Sequence, residues 1–142
     1  MTSSYYREPT YEISFRFRKI LVPVDGSESS LFALDLALDF ARRYGSRITV
    51  LHVKVEDSDH GSVLDKAKQR ASKRPVLVEF KERTCNPENS SVANEILQEV
   101  YEGGYDAVFI GARGTTVSED IHVGSTALSL VTHAPVTVVV VR

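Results

Sequence analysis

Short apolar runs alternate with amphipathic stretches along most of the chain. Each run has the length of a buried strand, and the runs cover residues 20–24, 48–53, 76–80, 107–110 and 136–141. Between the first two runs, apolar residues recur at the i, i+3, i+4, i+7 spacing of a helix, at Leu34, Ala37, Leu38 and Ala41. Helical patterns also follow the later runs. This alternation predicts β-α-β units and a parallel sheet.

The order of these elements indicates an open α/β sheet. Right-handed crossovers between parallel strands place helices on both faces. We expect five parallel strands in the order 3-2-1-4-5, in which the first and fourth strands are neighbours and the strand order reverses between them. Ligands of such sheets bind beyond the carboxyl ends of the strands at that reversal. The loops that leave these two strands are therefore the candidate site.

The loop after the fourth run has the residue types of a phosphate cradle. Its glycines, Gly111, Gly114 and Gly124, let backbone N–H groups approach a phosphate without a Cβ in the way. Ser125 and Thr126 open the next helix and add hydroxyl donors at its positive dipole end. The same features are also typical of a surface loop with an ordinary helix cap, so spacing alone leaves both interpretations open.

Two charged side chains extend this candidate site. Arg113, inside the glycine loop, places a cation beside a phosphate. Asp25, at the end of the first run, is positioned to accept hydrogen bonds from ribose hydroxyls or from a base. Gly26 and Ser27 break the chain after Asp25, and Ser27 or Ser29 caps the helix that follows.

Composition and charge narrow the function classes. The 142 residues carry a formal net charge of −2 and a pI of about 6.1, which argues against a nucleic-acid-binding protein. Cys85 is the one cysteine, so no intramolecular disulfide forms, and we expect a structural or loop residue. No run approaches the ~20 apolar residues that cross a membrane, and the start of the chain lacks the layout of a signal peptide. We therefore expect no membrane association and a cytoplasmic location.

Residues 1–18 are predicted to form an extension in front of a domain that covers residues 19–142. In the extension, apolar residues alternate with polar ones at the period of a strand, at Tyr11, Ile13, Phe15 and Phe17. An exposed apolar face of this kind needs a partner. We expect an extra strand-like segment that joins the sheet edge or reaches across a dimer.

Four stretches and one glycine spacing resemble a known family. The spacing is Gly111-x2-Gly114-x9-Gly124-Ser125, and the stretches are KILVPVDGSE (19–28), ITVLHV (48–53), YDAVFIG (105–111) and APVTVVVV (134–141). Together they resemble the ATP-binding branch of the universal stress protein family, over residues 19–142. The resemblance implies a Rossmann-like fold of the adenine nucleotide alpha hydrolase-like type. It also implies a regulatory or stress-response module that binds ATP or another adenine nucleotide, with slow or no hydrolysis.

The resemblance assigns roles on the adenine and ribose side of the site. Pro23, Val24 and Asp25 line this part, with Asp25 on the ribose. The backbone of Val53 reads the adenine edge, and Ile110 with Gly111 forms the floor of the site.

The resemblance likewise implies how the phosphates and a second copy are bound. The phosphate cradle consists of Gly114, Gly124, Ser125 and Thr126, and magnesium or manganese accompanies the phosphates. Two copies form a homodimer by antiparallel pairing of the last strand, from Val136 to Val141.

The segment 115–123 departs from the family pattern and leaves two alternatives open. If Glu119 and Asp120 point inward, they weaken triphosphate binding or demand a metal, and if they point outward they form a solvated loop. For the function, one alternative is a metal-dependent, weakly active ATPase that uses His122 or Asp120. The other is a dimeric interaction protein with a vestigial nucleotide site, whose working surface is the segment 1–18.

Overall fold

Helices and strands alternate along the chain as predicted. A computed structural model describes residues 8–56, 61–113 and 123–142. Among these residues no helix is long and apolar enough to cross a membrane. In chain order the elements are α1 (Glu8–Arg16), β1 (Lys19–Pro23), α2 (Glu28–Tyr44), β2 (Arg47–Val55), α3 (Val63–Ala71), β3 (Val78–Cys85), α4 (Val92–Gly103), β4 (Ala107–Gly111), α5 (Ser125–His133) and β5 (Thr137–Val141).

The strands form one parallel sheet in the order β3-β2-β1-β4-β5, which confirms the predicted topology. At the centre, Ile20 of β1 lies opposite Ile48 of β2 on one side and opposite Ala107 of β4 on the other. The strand order reverses between β1 and β4. Their carboxyl ends therefore meet at one edge of the sheet, which we call the carboxyl edge.

Burial on both faces explains why the central strands are continuously apolar. Along β1, Ile20 and Val22 pack with α2 and α3 on one face of the sheet, whereas Leu21 packs with α4 and α5 on the other. All three side chains are 0% exposed. Each face of the sheet thus has its own apolar core, and β1 contributes to both.

Local signals set the ends of the two longest helices. The hydroxyls of Ser27 and Ser91 cap α2 and α4, each accepting a hydrogen bond from the backbone N–H three residues later. Gly45 and Gly104 end the same helices with φ of 78° and 68°, in the left-handed region that favours glycine. The cap at Ser27 is one of the two that the sequence predicts.

The described part of the N-terminal extension is helical, with α1 at Glu8–Arg16, so the prediction of a strand over its alternating apolar residues is wrong. Ile13 and Phe17 lie four residues apart, and the backbone N–H of Phe17 donates to the Ile13 carbonyl at 3.1 Å. The same apolar residues therefore fit a helical period as well as a strand period. The Phe17 ring packs edge-on against Phe40 of α2, with 5.0 Å between ring centroids. This contact with α2 favours the helical period over the strand period. The division of the chain at residue 18 stays a prediction.

The third strand lies further along the chain than predicted. The sequence predicts a strand at 76–80, whereas β3 covers Val78–Cys85 and includes Lys81 and Arg83. These charged residues look unlike a buried strand, but both side chains reach carboxylates on α4. The last strand also begins later, at Thr137 rather than Val136.

A buried carboxylate joins α4 to β3. Glu99 is 2% exposed, and its Oε2 accepts hydrogen bonds from Lys81 Nζ at 2.9 Å and from the Tyr105 hydroxyl at 2.7 Å. Its Oε1 accepts from Arg83 Nη1 at 3.2 Å. Burial alone would raise the pKa of Glu99, but the hydrogen bonds from Lys81, Tyr105 and Arg83 outweigh burial and lower it. Folding therefore favours the charged carboxylate.

We predict that Glu99→Gln lowers the free energy of unfolding at pH 7 by about 2 kcal/mol, because Lys81 and Arg83 lose their buried counter-charge. A pKa lowered from its usual 4.5 contributes stability above that pH, and the contribution is lost as the pH falls through the lower folded value. Urea unfolding between pH 3 and 7 should therefore show a weaker acid dependence in the variant than in the parent. Glu102→Gln is the control, because Glu102 bonds the same Arg83 but is 61% exposed. An equal loss of unfolding free energy in Glu99→Gln and Glu102→Gln would contradict the prediction.

Candidate functional site

The chain leaves β1 through a tight polar turn. Asp25 Oδ1 accepts hydrogen bonds from the backbone N–H of Ser27 at 2.9 Å and from the Ser27 hydroxyl at 2.6 Å. Gly26 between them has φ of 87°, which a side chain would strain. Asp25 is half-buried, and its Oδ2 accepts no hydrogen bond from the described residues. One carboxylate oxygen thus holds the turn, and the other is available to a ligand hydroxyl.

Gly111, the last residue of β4, lies directly against the start of α2. A Cβ on Gly111 would be 2.6 Å from Oγ of Ser29 and 2.7 and 2.8 Å from its carbonyl carbon and oxygen. Ser29 Oγ also accepts a hydrogen bond from the backbone N–H of Arg113 at 3.4 Å. The glycine therefore permits the close approach of a helix to a strand. This contact brings the loops that leave β1 and β4 together.

Backbone hydrogen bonds tie the start of α5 to the same edge. The Ala112 N–H donates to the Val141 carbonyl at 2.7 Å, and the Ala112 carbonyl accepts from the Gly124 N–H at 2.5 Å. Gly124 is the N-cap of α5 and supplies no side chain to the first turn, which leaves the N–H groups there available to an anion. Ser125 is exposed and Thr126 half-buried at this helix end. The structure thus places three of the four predicted cradle residues, Gly124, Ser125 and Thr126, at the carboxyl edge.

The residues predicted to line the adenine and ribose part of the site come from both faces of the sheet. Val24, Val53 and Ile110 are 4%, 5% and 6% exposed. Val53 and Ile110 pack on the side of α4 and α5, whereas Val24 packs on the side of α2 and α3. Pro23 ends β1, and the Val24 N–H donates to the Leu51 carbonyl at 2.8 Å. These residues share the carboxyl edge with Asp25.

Several predicted residues lie outside the described part of the chain. They are Gly114 of the cradle, the acidic pair Glu119 and Asp120, and His122. Their roles stay predictions. Within the described residues, no group of three or more His, Cys, Asp and Glu side chains is arranged to hold a metal ion.

The sequence analysis assigned no site role to Ser30 or Ala112. The Ser30 hydroxyl donates to the Ser27 carbonyl at 2.9 Å and accepts from the Asp25 N–H at 3.3 Å. Ala112 acts only through its backbone. The polar turn gave a signal for Ser30, since serine competes for backbone hydrogen bonds at helix starts. Nothing in the residue type of Ala112 indicates its contacts.

His52 and Cys85 are buried side chains, as expected for structural residues. His52 is 3% exposed, with its Nδ1 3.4 Å from Oε2 of Glu82 on the neighbouring strand. Cys85 is 1% exposed, and burial raises the pKa of its thiol. A thiol held in the protonated form is a weak nucleophile.

Comparison with known proteins agrees with this fold. A model of the universal stress protein family matches residues 16–142. The chain belongs to the universal stress protein family. Universal stress protein YxiE of Bacillus subtilis (strain 168) is 26% identical, over 87% of this chain and 99% of that protein.

Solved universal stress proteins share the fold. UspA from Lactobacillus plantarum superposes with a TM-score of 0.75 at 25% identity, covering 89% of this chain and 99% of that one. A universal stress protein in complex with cAMP gives a TM-score of 0.67 at 20% identity, covering 89% and 98% of the two chains. One from Archaeoglobus fulgidus in complex with dAMP gives 0.68 at 18% identity, with the same coverage. The last two likenesses establish the fold alone.

We predict that Gly111→Ala destabilises this universal stress protein by about 1–3 kcal/mol, because the added methyl group overlaps the Ser29 backbone and side chain. Urea unfolding would measure the loss. Adding Ser29→Ala should not restore stability, since two of the three close atoms belong to the Ser29 backbone. Full rescue by that second change would contradict the proposed backbone contact.

Proposed function

We propose that this universal stress protein binds an adenine nucleotide, with ATP as the ligand, and acts as a regulatory or stress-response module with slow or no hydrolysis. The proposal rests on one observation: the polar loops that leave β1 and β4 lie side by side where the strand order reverses. There the Ser29–Gly111 contact brings the Asp25 turn and the exit of β4 together. Ligands of open α/β sheets bind at this position.

Each end of the site suits a different part of a nucleotide. Asp25 Oδ2 faces the ribose hydroxyls, since Oδ1 is held by Ser27. Pro23, Val24, Val53 and Ile110 supply the apolar ends of three strands for the base.

The phosphates belong at the start of α5 in this proposal. The first-turn N–H groups, with the Ser125 and Thr126 hydroxyls, form the described part of the cradle, and Gly114 completes it. Arg113, half-buried beside Ser29, adds positive charge.

The solved complexes support the choice of ligand class. One neighbour with the same fold holds cAMP and another holds dAMP, so two universal stress proteins bind an adenine nucleotide. For this chain we propose a divalent ion, magnesium or manganese, bound chiefly through the phosphates, because the described residues offer no cluster of carboxylates to hold it. The metal-dependent ATPase that uses His122 or Asp120 and the interaction protein with a vestigial site stay predictions.

We expect Gly124→Asp to weaken the binding of ATP with magnesium by about tenfold or more, equivalent to about 1.4 kcal/mol. Gly124 has φ of −72°, which any residue adopts, and aspartate is a favoured N-cap, so the fold should persist. The carboxylate would occupy the first-turn N–H groups and repel the phosphates. Isothermal titration calorimetry on the parent and the variant measures the change.

Gly124→Asn is the matched control, since asparagine caps the helix without a charge. The proposal expects the asparagine variant to bind more tightly than the aspartate variant. Absence of ATP binding to the parent, with no nucleotide co-purifying, would overturn the proposal and favour the interaction protein.

The proposal includes a homodimer and a cytoplasmic location. β5 is an edge strand of four consecutive valines whose outer backbone groups are available for pairing. α5 packs beside it, and its Leu128 and Val131 are 57% and 53% exposed. Antiparallel pairing of β5 with a second copy would cover this surface. The free thiol of Cys85 agrees with a reducing compartment.

Leu128→Glu combined with Val131→Glu should convert the dimer to a monomer, because four like charges would meet across a symmetric interface. Both side chains are exposed in the single chain, so its stability should change little. Sedimentation equilibrium measures the mass, and circular dichroism checks the fold. A folded variant that remains fully dimeric would contradict pairing through β5.

A further inference from the structure

The starts of three strands form a row at the edge of the sheet opposite the candidate site. The Arg47 N–H donates to the Arg18 carbonyl at 2.8 Å, and the Ile48 N–H donates to the Leu77 carbonyl at 3.0 Å. Leu77, Arg47 and Arg18 therefore follow one another across β3, β2 and β1, with neighbouring strands about 4.8 Å apart. We call this side the amino edge.

Arginines without a carboxylate partner gather at the amino edge. Arg18, Arg42, Arg43 and Arg47 are all exposed, and none has a carboxylate within 4.0 Å among the residues that the structure describes. α2 ends at Tyr44, and the short turn through Gly45 leads directly into β2, so Arg42, Arg43 and Arg47 lie at the same end of the sheet. Arg70, Arg74 and Arg83, by contrast, form ion pairs with carboxylates.

Three carboxylates near this edge already have partners, whereas the exposed Glu79 of β3 has none among the described residues. Asp106 Oδ2 accepts the backbone N–H groups of Arg18 and Lys19 at 3.0 and 2.9 Å. Asp39 Oδ1 lies 3.1 Å from Arg74 Nη1, and Glu12 Oε1 lies 3.6 Å from Arg16 Nη2. The guanidinium groups of the amino edge therefore form no ion pair with a carboxylate of the described residues, although the whole protein is slightly acidic.

Two exposed apolar side chains flank these arginines. Phe15 is 62% exposed and Leu77 is 72% exposed. The Arg18 guanidinium carbon lies 4.9 Å from the centroid of the Phe15 ring, a cation–π contact that orients the charge beside the aromatic face. The dipole of α2 favours positive charge in its last turn, which explains the presence of Arg42 and Arg43 there. It does not explain Arg18 or Arg47, which lie outside that helix.

We propose that the amino edge binds an acidic peptide segment of a partner protein, one that carries carboxylates together with an apolar side chain. Guanidinium groups bind carboxylates in a bidentate fork, and arginine and aromatic residues are enriched at protein–protein interfaces. Exposed Phe15 and Leu77 supply apolar contacts that a phosphate backbone would not use. The net charge of −2 disfavours nucleic acid as the occupant. The function of this edge is independent of the nucleotide site.

Fluorescence anisotropy tests the proposal with a labelled peptide of the sequence Glu-Glu-Leu-Glu-Glu-Leu-Glu-Glu. The parent should bind it at low salt, with affinity falling as salt screens the charges. Arg43→Glu combined with Arg47→Glu should weaken binding by about tenfold or more, since two attractions become repulsions. Lys54→Glu combined with Lys66→Glu makes the same charge change on exposed residues away from the amino edge, and should weaken binding less than about twofold.

Two further variants separate the contribution of charge to peptide binding from the contribution of apolar contact. Arg43→Gln with Arg47→Gln removes charge without repulsion and should lie between the parent and the reversed variant. Phe15→Ser should weaken binding while leaving the salt dependence unchanged, because the phenyl ring contributes contact area rather than charge. Circular dichroism confirms that each variant is folded.

Three outcomes would overturn the proposal. The first is the absence of peptide binding at low salt, and the second is an equal loss in the amino-edge and control variants. The third is tighter binding of a single-stranded DNA oligonucleotide, or of phosphatidylglycerol vesicles, than of the peptide in the same buffer. That last result would assign the edge to nucleic acid or to anionic lipid.

Discussion

Burial of β1 on both faces is the constraint on which the rest of the structure depends. Ile20, Leu21 and Val22 are fully buried, so helices must cover the sheet above and below them. Covering both faces requires the chain to travel outward on one side and back on the other, and this produces the reversal of strand order between β1 and β4. The position of the candidate site thus follows from the need to bury a central apolar strand.

The candidate site is built largely from backbone geometry. Gly111 lets α2 approach the end of β4, and Ala112 links β5 to the start of α5 through its N–H and carbonyl groups. Side chains then add specific chemistry, as in the Asp25 carboxylate, whose Oδ1 holds the turn while its Oδ2 accepts no hydrogen bond from the described residues. Such an arrangement positions donors rigidly before a ligand arrives, which lowers the entropic cost of binding.

In the described part of the chain, charged side chains are paired in one region of the molecule and unpaired in another. Between α4 and β3, Lys81 and Arg83 surround the buried carboxylate of Glu99, so each charge has a partner. At the amino edge, exposed arginines have no such partner among the described residues. A charge that the fold leaves unpaired at its surface is available for an external partner, whereas a buried pair chiefly holds two elements in register.

The sequence by itself determined the class of fold, because apolar runs and helical periods report burial directly. It also predicted the strand order, and its motifs indicated the family by resemblance. It also indicated the cap at Ser27, where residue type governs local backbone conformation. Only the tertiary structure decided that the segment ending in Phe17 is helical, since Ile13 and Phe17 fit both periods until Phe40 packs against one of them. It likewise decided the extent of β3, because the charges on Lys81 and Arg83 are compensated by residues distant in sequence. The role of Gly111 also needed the fold, since the steric demand comes from Ser29, far away along the chain but adjacent in space.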